Sequence, residues 1–382
     1  MLCENGEGVV NGMNARASQN AQGFRAFTPR EEEKGVMRMK RKLIAVWIVA
    51  MLCAAGFHAL GEPSDVAESP LPVKVLLLPK FEVGEMAGDF PGEAQYYFEQ
   101  YLTGAEAYDV PNGDDGFKLY YKDGVALGLL GMGKVNAALN TMAILSDSRF
   151  DYSQAYIIDT GCAGSAVGTT VMGDVFLITA AVDYDLGHHA DGRELADPDG
   201  TTWFRDEKFD DSAVVLSNQA LVERVYALVK DAPIETTERT RNYMINSFDG
   251  AEWAARDPQV LRGTTVSGDN YWKGPHGHEN ALLMAETYQC PDPYVTTEME
   301  NVAVARAVER MGLLDRLIII RDSVNMDVFM QGDTPESLWE NAEAKTLATD
   351  EGVESADIFQ TAMKNNFAVG RIIIDRILDG RF

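Results

Sequence analysis

Gly124-Val125-Ala126-Leu127-Gly128-Leu129-Leu130-Gly131-Met132-Gly133-Lys134-Val135-Asn136-Ala137-Ala138 is the stretch on which the fold turns. Its first part, Gly124–Gly131, is wholly apolar or glycine, the composition of a strand buried on both faces. Gly131 and Gly133 permit a tight turn and a close backbone approach. Lys134–Leu145 follows, rich in Ala and Leu, and its composition predicts a helix. A strand that turns through glycine into a helix is the building unit of an α/β sheet. The turn completes neither G-x-G-x-x-G nor a G-K-[ST] ending, so alone it does not mark a nucleotide loop.

The same alternation extends in both directions. Val73–Leu78 is a continuous apolar run, predicted as a buried strand. Tyr156–Asp159 is a short strand entering the glycine-rich Thr160-Gly161-Cys162-Ala163-Gly164, and Asp174–Ala181 is another strand. Ser217–Lys230 is predicted helical, Val260–Gly268 extended, and Glu298–Met311 a helix with a Glu-bearing start. Leu317–Arg321 is a buried strand, and Ile358–Leu378 contains one or two amphipathic helices. Strands alternating with helices predict an α/β fold around a central, largely buried sheet. Functional loops then gather at one end of the strands. The 382 residues divide into a proline-bearing linker, 62–72, and one domain without internal repeats, 73–382.

Charge excludes some partners. The net charge is −26. Residues 1–61 hold eight basic and five acidic side chains, leaving 25 basic and 54 acidic in the rest. Such a surface repels phosphate backbones and anionic headgroups, so a nucleic acid is excluded as partner while a neutral nucleoside is not. At the other extreme, Arg38, Lys40, Arg41 and Lys42 precede a 15-residue apolar run, Leu43–Phe57, and then Ala59-Leu60-Gly61. This is the order of a secretory signal peptide, 37–61, with cleavage after Gly61 and export to the periplasm or exterior. An uncleaved anchor is the alternative, although the run is short of the ~20 residues a spanning helix needs. Residues 1–36 read as neither signal nor core, and translation is expected to begin at Met37 or Met39. No second run of spanning length follows, so the mature chain is expected to carry no membrane span and to form no helical channel.

Several segments hold residues suited to chemistry. Glu82 and Glu85 follow the first strand. Asp159 through Ala166 is small enough to admit a ligand beside the backbone. Ser267-Gly268-Asp269 leads into Tyr271-Trp272, whose rings can stack on a base. Glu298-Met299-Glu300 opens a predicted helix, and Arg321 through Asp327 leaves a buried strand. His276 and His278 lack a third ligand, and Cys162 and Cys290 have no zinc spacing, so neither metal nor cofactor is expected. Each segment has a plain structural explanation on its own: solvated charge, tight packing, core aromatics, or a carboxylate favoured by a helix N-terminus.

Taken in order, these segments resemble the nucleoside phosphorylase and nucleosidase superfamily. The matches are Gly133-Lys134-Val135-Asn136-Ala137-Ala138, Thr160-Gly161-Cys162-Ala163-Gly164 with Gly173-Asp174-Val175, Ser267-Gly268-Asp269, and Glu298-Met299-Glu300. Within it, Pro91-Gly92-Glu93-Ala94-Gln95, Tyr271-Trp272 and Arg321…Asn325-Met326-Asp327 make the chain most similar to the purine nucleoside permease family. The resemblance runs from about Val73 to the C-terminus. It implies a three-layer α/β/α domain with a central mixed sheet, and a site that holds a purine nucleoside and breaks its N-glycosidic bond. Glu300 is then expected on the ribose hydroxyls, Met299 against the sugar, and Tyr271 on the purine. Asn325 is expected to face N7 and the 6-substituent. Gly161, Cys162, Ala163 and Gly164 line the ligand, while Arg321 and either Glu82 or Glu85 position the nucleophile. Sites in this superfamily are completed by a neighbouring subunit, which implies a homo-oligomer, dimer or trimer.

One departure bears on the reaction. Hexameric purine phosphorylases carry Arg where this chain has Asp159. An acidic side chain facing the site would repel phosphate, which makes water the expected nucleophile. Asn325, where adenine-cleaving members carry Asp, favours 6-oxopurine nucleosides. Two other activities fit the resemblance: capture of nucleosides for uptake with little or no catalysis, and phosphorolysis.

Overall fold

Period-two burial builds the centre of the molecule. In β1 (Val75–Leu78), Val75 and Leu77 face one side while Leu76 and Leu78 face the other, all fully buried. The same alternation recurs in the later strands, as in Phe176 and Ile178 against Val175 and Leu177. A strand buried on both faces needs helices on both, since each face must leave water. The computed structural model describes residues 69–197, 200–248, 253–336 and 350–382. The expected leader, 1–36, and the predicted signal peptide, 37–61, lie outside the described residues. Ser69–Phe382 forms one compact unit.

Along the chain, β1 is followed by α1 (Gln95–Tyr101), β2 (Glu106–Asp109), β3 (Lys118–Lys122), β4 (Val125–Gly128) and α2 (Lys134–Leu145). Next come β5 (Tyr156–Ser165), β6 (Val175–Asp183), β7 (Val214–Leu216), α3 (Gln219–Val229) and α4 (Glu238–Ser247). The last part holds β8 (Val260–Ser267), α5 (Pro275–Thr287), β9 (Tyr294–Glu298), α6 (Asn301–Arg310), β10 (Leu317–Met326) and α7 (Asp350–Leu378). The ten strands form one mixed sheet in the order β7-β6-β8-β9-β5-β1-β4-β3-β2, with β10 bridging β5 and β6. Ala137 and Ile144 of α2 and Val304 and Val308 of α6 cover one face. Tyr97 of α1, Val225 of α3 and Ile373 of α7 cover the other. The architecture is therefore three-layer α/β/α.

β5 is the pivot. It pairs in parallel with β10 along its length and with β1 through its first residues, and its last residues pair antiparallel with β9. Through β9, β8, β6 and back to β10 the pairing closes on itself. Strands that part company at their ends open space between them, and there the cavity lies.

The helix Lys134–Leu145 stands at the predicted bounds. Other boundaries move. The glycine-rich 160–164, expected as a loop, continues β5, because β10 supplies partners along its whole length. β10 likewise extends past Arg321 to Met326, with a bulge between Ser323 and Asn325. A bulge re-aims the side chains that follow it. Glu298 ends β9 instead of starting a helix, and α6 begins at Asn301. Within the predicted linker 62–72, Leu71–Pro72 pairs with Phe150–Asp151. The C-terminal amphipathic stretch is one helix, α7. Among the described residues no helix is long and apolar enough to cross a membrane.

Candidate functional site

Arg321 anchors the site. It sits in the middle of β10 and is only 1% exposed. A guanidinium so buried must spend its donors on the protein. Nε donates to Asn301 Oδ1 at 3.0 Å and Nη1 to the Cys162 carbonyl at 2.9 Å, while Nη2 reaches Glu298 Oε2 and Glu300 Oε2, both at 3.1 Å. Burial works against its charge, but Glu298, Glu300, Asp159 and Glu93 more than offset this and hold the proton more firmly. Glu298 in turn accepts from the Glu300 and Asn301 amides at 2.6 and 2.7 Å and from the Ser267 hydroxyl. That network fixes the turn after β9 and so places Glu300. The other carboxylate oxygen of Glu300 accepts from the Gly133 amide at 3.0 Å, at the start of α2. Asp269 accepts from the next amide, Lys134, at 2.8 Å. The Gly-Lys, Ser-Gly-Asp and Glu-Met-Glu segments of the sequence are thus one interlocked structure.

A second carboxylate reaches this floor from a residue to which the sequence reading gave no role. Glu93 is 6% exposed. Its Oε2 accepts from the Lys80 amide at 2.7 Å and its Oε1 from the Cys162 amide at 2.8 Å. Burial pushes its carboxyl above the ordinary range, and Lys80 and Arg321 pull it only part of the way back. Glu93 and the Arg321 guanidinium press on the same point of β5: a Cβ on Gly161 would stand 2.6 Å from one and 2.7 Å from the other. Only glycine admits both groups so close to the backbone.

The two glutamates expected for this role lie elsewhere. Glu82 accepts hydrogen bonds from the amides of Val83, Gly92, Ala94 and Gln95, so it ties its own loop to the start of α1. Glu85 is exposed, and its amide donates to Asp89. Neither lines the cavity. The signal for Glu93 was a Pro-Gly turn placing one glutamate just ahead of a helix, and it was outweighed by closeness to β1 in sequence. Asp159 also differs from expectation. It is fully buried, paired with the Lys80 ammonium, and accepts from Asn301 Nδ2 at 2.6 Å, and it does not face the ligand space. Lys80 gives its remaining donors to the Leu78 and Thr160 carbonyls.

The cavity holds about 220 Å³. Cys162, Ala163, Gly164, Tyr271, Met299, Glu300, Arg321 and Asn325 line it together, as do Glu93 and Trp272. Gly161 stands behind Glu93 and Arg321 instead of on the surface. Tyr271 forms the outer wall, 77% exposed, and its hydroxyl accepts from Asn325 Nδ2 at 2.9 Å. Trp272 stacks on Tyr184 at 5.0 Å. Chemically this is a largely apolar slot with a charged floor: two carboxylates, Glu93 and Glu300, flank one guanidinium that spends four of its donors on the protein. Among the described residues no group of three His, Cys, Asp or Glu side chains is arranged to hold a metal. Cys162 and Cys290 are free thiols. His278 Nδ1 lies 2.7 Å from Asp327 Oδ2, within a structural cluster that includes Tyr294.

Comparison with known proteins gives this arrangement a family. A probable purine nucleoside permease of Schizosaccharomyces pombe is 26% identical over 220 residues, 52% of this chain and 63% of that one. The 5′-methylthioadenosine/S-adenosylhomocysteine nucleosidase of Bacillus subtilis is 28% identical over 176 residues, 46% of this chain and 58% of that one. The chain thus spans about three fifths of the curated relatives it matches. Among solved structures, the corresponding nucleosidase of Neisseria meningitidis, in complex with methylthio-immucillin-A, aligns with TM-score 0.48 at 19% identity, covering 79% of this chain and 98% of that one. Futalosine hydrolase of Helicobacter pylori aligns with TM-score 0.48 at 15% identity, over 78% and 97%. The profile of the purine nucleoside permease (NUP) family matches residues 72–381, and the chain belongs to that family.

Proposed function

We propose that the protein hydrolyses the N-glycosidic bond of purine nucleosides, with 6-oxopurine nucleosides preferred, in the compartment to which its leader exports it. The observation that carries this is the Glu93–Arg321–Glu300 floor. Glycosidic cleavage builds positive charge on the ribosyl ring, and a buried carboxylate such as Glu300 stabilises that charge more in the transition state than in the ground state. Glu93 retains lone pairs beyond the two amides it accepts from, and burial raises its basicity. Those are the properties of a base that orients and deprotonates water, worth ~10²–10⁴-fold. Arg321 holds Glu300 directly, while the Lys80 and Cys162 amides hold Glu93. Met299 packs on the sugar, and the Cys162–Gly164 backbone and Tyr271 flank the base.

Water is favoured over phosphate by the charge of the floor. Lys80 is spent on Asp159 and Arg321 on Glu298 and Glu300, while Glu93 adds a further carboxylate. A phosphate dianion placed there meets acidic groups whose counter-ions are already engaged. For the base, Asn325 donates one N–H to Tyr271 and keeps the other, while the Tyr271 hydroxyl, as acceptor, is free to donate outward. Two donors match the N7/O6 edge of a 6-oxopurine. A homo-oligomer, dimer or trimer, is supported by the exposed Met132, which lines the cavity with Tyr271 just before α2, and by the exposed Val135 and Leu139 on α2.

The test is direct. Purified protein is incubated with inosine, guanosine and adenosine, with and without phosphate, and free base is measured. Base released from inosine and guanosine without phosphate is the expected result. A strict phosphate requirement makes the protein a phosphorylase, and binding without product makes it an uptake protein.

A further inference from the structure

We propose that Asp327 is a positioning residue of the nucleoside site: its buried carboxylate fastens the wall on which Asn325 and Tyr271 meet the base, and so sets the preference between purines. The inference rests on the proposed nucleoside site. It adds a residue to which neither the sequence motifs nor the proposed chemistry gave a role.

Asn325 and Tyr271 lie on different segments, and two hydrogen bonds close those segments into a ring. Asn325 Nδ2 donates to the Tyr271 hydroxyl at 2.9 Å. The chain then runs from Tyr271 to Gly274 on one side and from Asn325 to Asp327 on the other, where the Gly274 amide donates to the Asp327 carbonyl at 2.8 Å. Such a ring needs an anchor. Tyr271 is largely exposed, so packing restrains it little. Asn325 directly follows the bulge in β10, where the regular ladder no longer dictates the direction of a side chain.

The Asp327 side chain supplies the anchor. It is fully enclosed, and its two oxygens reach three other parts of the fold. Oδ2 accepts from His278 Nδ1, in the first turn of α5, at 2.7 Å and from the Tyr294 hydroxyl, at the start of β9, at 2.8 Å. Oδ1 accepts from the Val167 amide, just beyond β5, at 3.1 Å. The Asp327 amide donates to the Ser165 carbonyl at 2.9 Å. Burying a carboxylate is costly unless its oxygens are satisfied. The arrangement in which all three donors converge on Asp327 is therefore strongly preferred, and the ring is held in that arrangement. The far end of the Tyr271 segment is tied separately, by the Gly268 amide to the Glu298 carbonyl at 2.9 Å and by the Asp269 amide to Asp185 at 2.7 Å. None of the hydrogen bonds named above for Glu93, Arg321 and Glu300 involves Asp327, so the anchor serves the wall and not the floor.

Asp327→Ala removes the anchor, whereas Asp327→Asn can keep it. The amide oxygen accepts from Val167, and the amide nitrogen donates to the Tyr294 oxygen and to His278 in the tautomer protonated at Nε2. In Asp327→Ala the KM for inosine is expected to rise roughly tenfold, within the two- to thirtyfold range of coupling through such networks. The inosine-to-adenosine ratio of kcat/KM is expected to fall by a similar factor, while kcat for inosine stays within about threefold. Asp327→Asn should return KM and the ratio to near the parent values. Should Asp327→Ala not fold, Tyr294→Phe, which deletes one donor oxygen and keeps the ring, is expected to change KM and the ratio in the same direction. The dissociation constants of hypoxanthine and adenine give a readout that needs no turnover, and hypoxanthine should lose more than adenine. A lowered melting temperature with KM, the nucleoside ratio and base binding unchanged shows a purely structural role and overturns the inference. A fall in kcat alone does the same. A parent protein that neither binds hypoxanthine nor releases base removes the nucleoside-site reading itself, and the inference with it.

Discussion

Glu82 and Glu93 leave the same loop and do opposite work. Glu82 gathers four backbone amides and shows its carboxylate to no ligand, whereas Glu93 takes two amides and keeps a side open to the cavity. Glu93→Gln is therefore expected to lower kcat about 10²–10³-fold with a melting temperature near that of the parent. Glu82→Gln is expected to cost ~1–2 kcal/mol of stability, the value of a lost cap, and to leave kcat within a few-fold. Steady-state kinetics beside thermal melts separate the two, and the reverse pattern would return the catalytic role to Glu82. Sequence alone placed Glu82 or Glu85 at the cavity, which neither lines, for a physical reason. Distance along the chain measures nearness only while the chain runs straight, and Gly92 lets the loop fold back so that Glu93 arrives beside Arg321. Glu300, Met299, Tyr271 and Asn325 were legible because each stands within a few residues of a motif whose spacing the fold itself imposes.

At the scale of elements, β5 explains why the site exists and why its form was hard to read. The strands with strict apolar runs, such as β1 and β4, were legible because burial on both faces demands hydrophobic side chains at every position. In β5 the apolar run stops at Ile158, and Asp159 through Gly164 has the composition of a loop. Partners on β10, with Gly161 opposite Arg321 and Gly164 opposite Asn325, keep it extended. Small residues are needed there because charged groups, and not a hydrophobic layer, pack on the strand. Gly161→Ala would drive a methyl group into the Glu93 carboxylate and the Arg321 guanidinium. The expected cost is ~1–3 kcal/mol of stability from overpacking. The kcat should fall about 10²-fold, because displacement of the floor by even an ångström spoils alignment. Gly164→Ala, against Asn325 Oδ1 at 3.0 Å and a Thr297 methyl, should act mainly on KM for the base. Equal effects of both substitutions on kcat would contradict the division between floor and wall.

The whole molecule carries its excess negative charge inward as well as on its surface, and this sets how stability follows pH. Glu93, Glu298 and Asp322 are all buried with their carboxyls pushed above the ordinary range, in each case chiefly by burial. Asp322 is the extreme member. Asn366 Nδ2 donates to one of its oxygens at 2.9 Å, and the other has no partner among the described residues. Between the ordinary carboxyl value and the raised one, the folded chain holds protons that the unfolded chain has released. Stability contributed by these groups is therefore complete below the ordinary values of 3.8 and 4.5. It is lost as pH rises through the raised values. In the proposed hydrolysis Glu93 must be ionised to take a proton from water, so activity should rise with pH while stability declines. Asp322→Asn separates the two. The amide can still accept from Asn366 but has no charge to bury, so the melting temperature at pH 8 should exceed that of the parent by about 3 °C, as ~1 kcal/mol implies for a domain of this size. Toward acid pH, where burial favours the protonated carboxyl of the parent, the two proteins should melt together. The pH profile of kcat, which the proposal assigns to Glu93, should keep its shape. A melting difference that does not grow from acid pH to pH 8 would show that burial does not govern the ionisation of Asp322 and that the Arg321 network beside it compensates the charge.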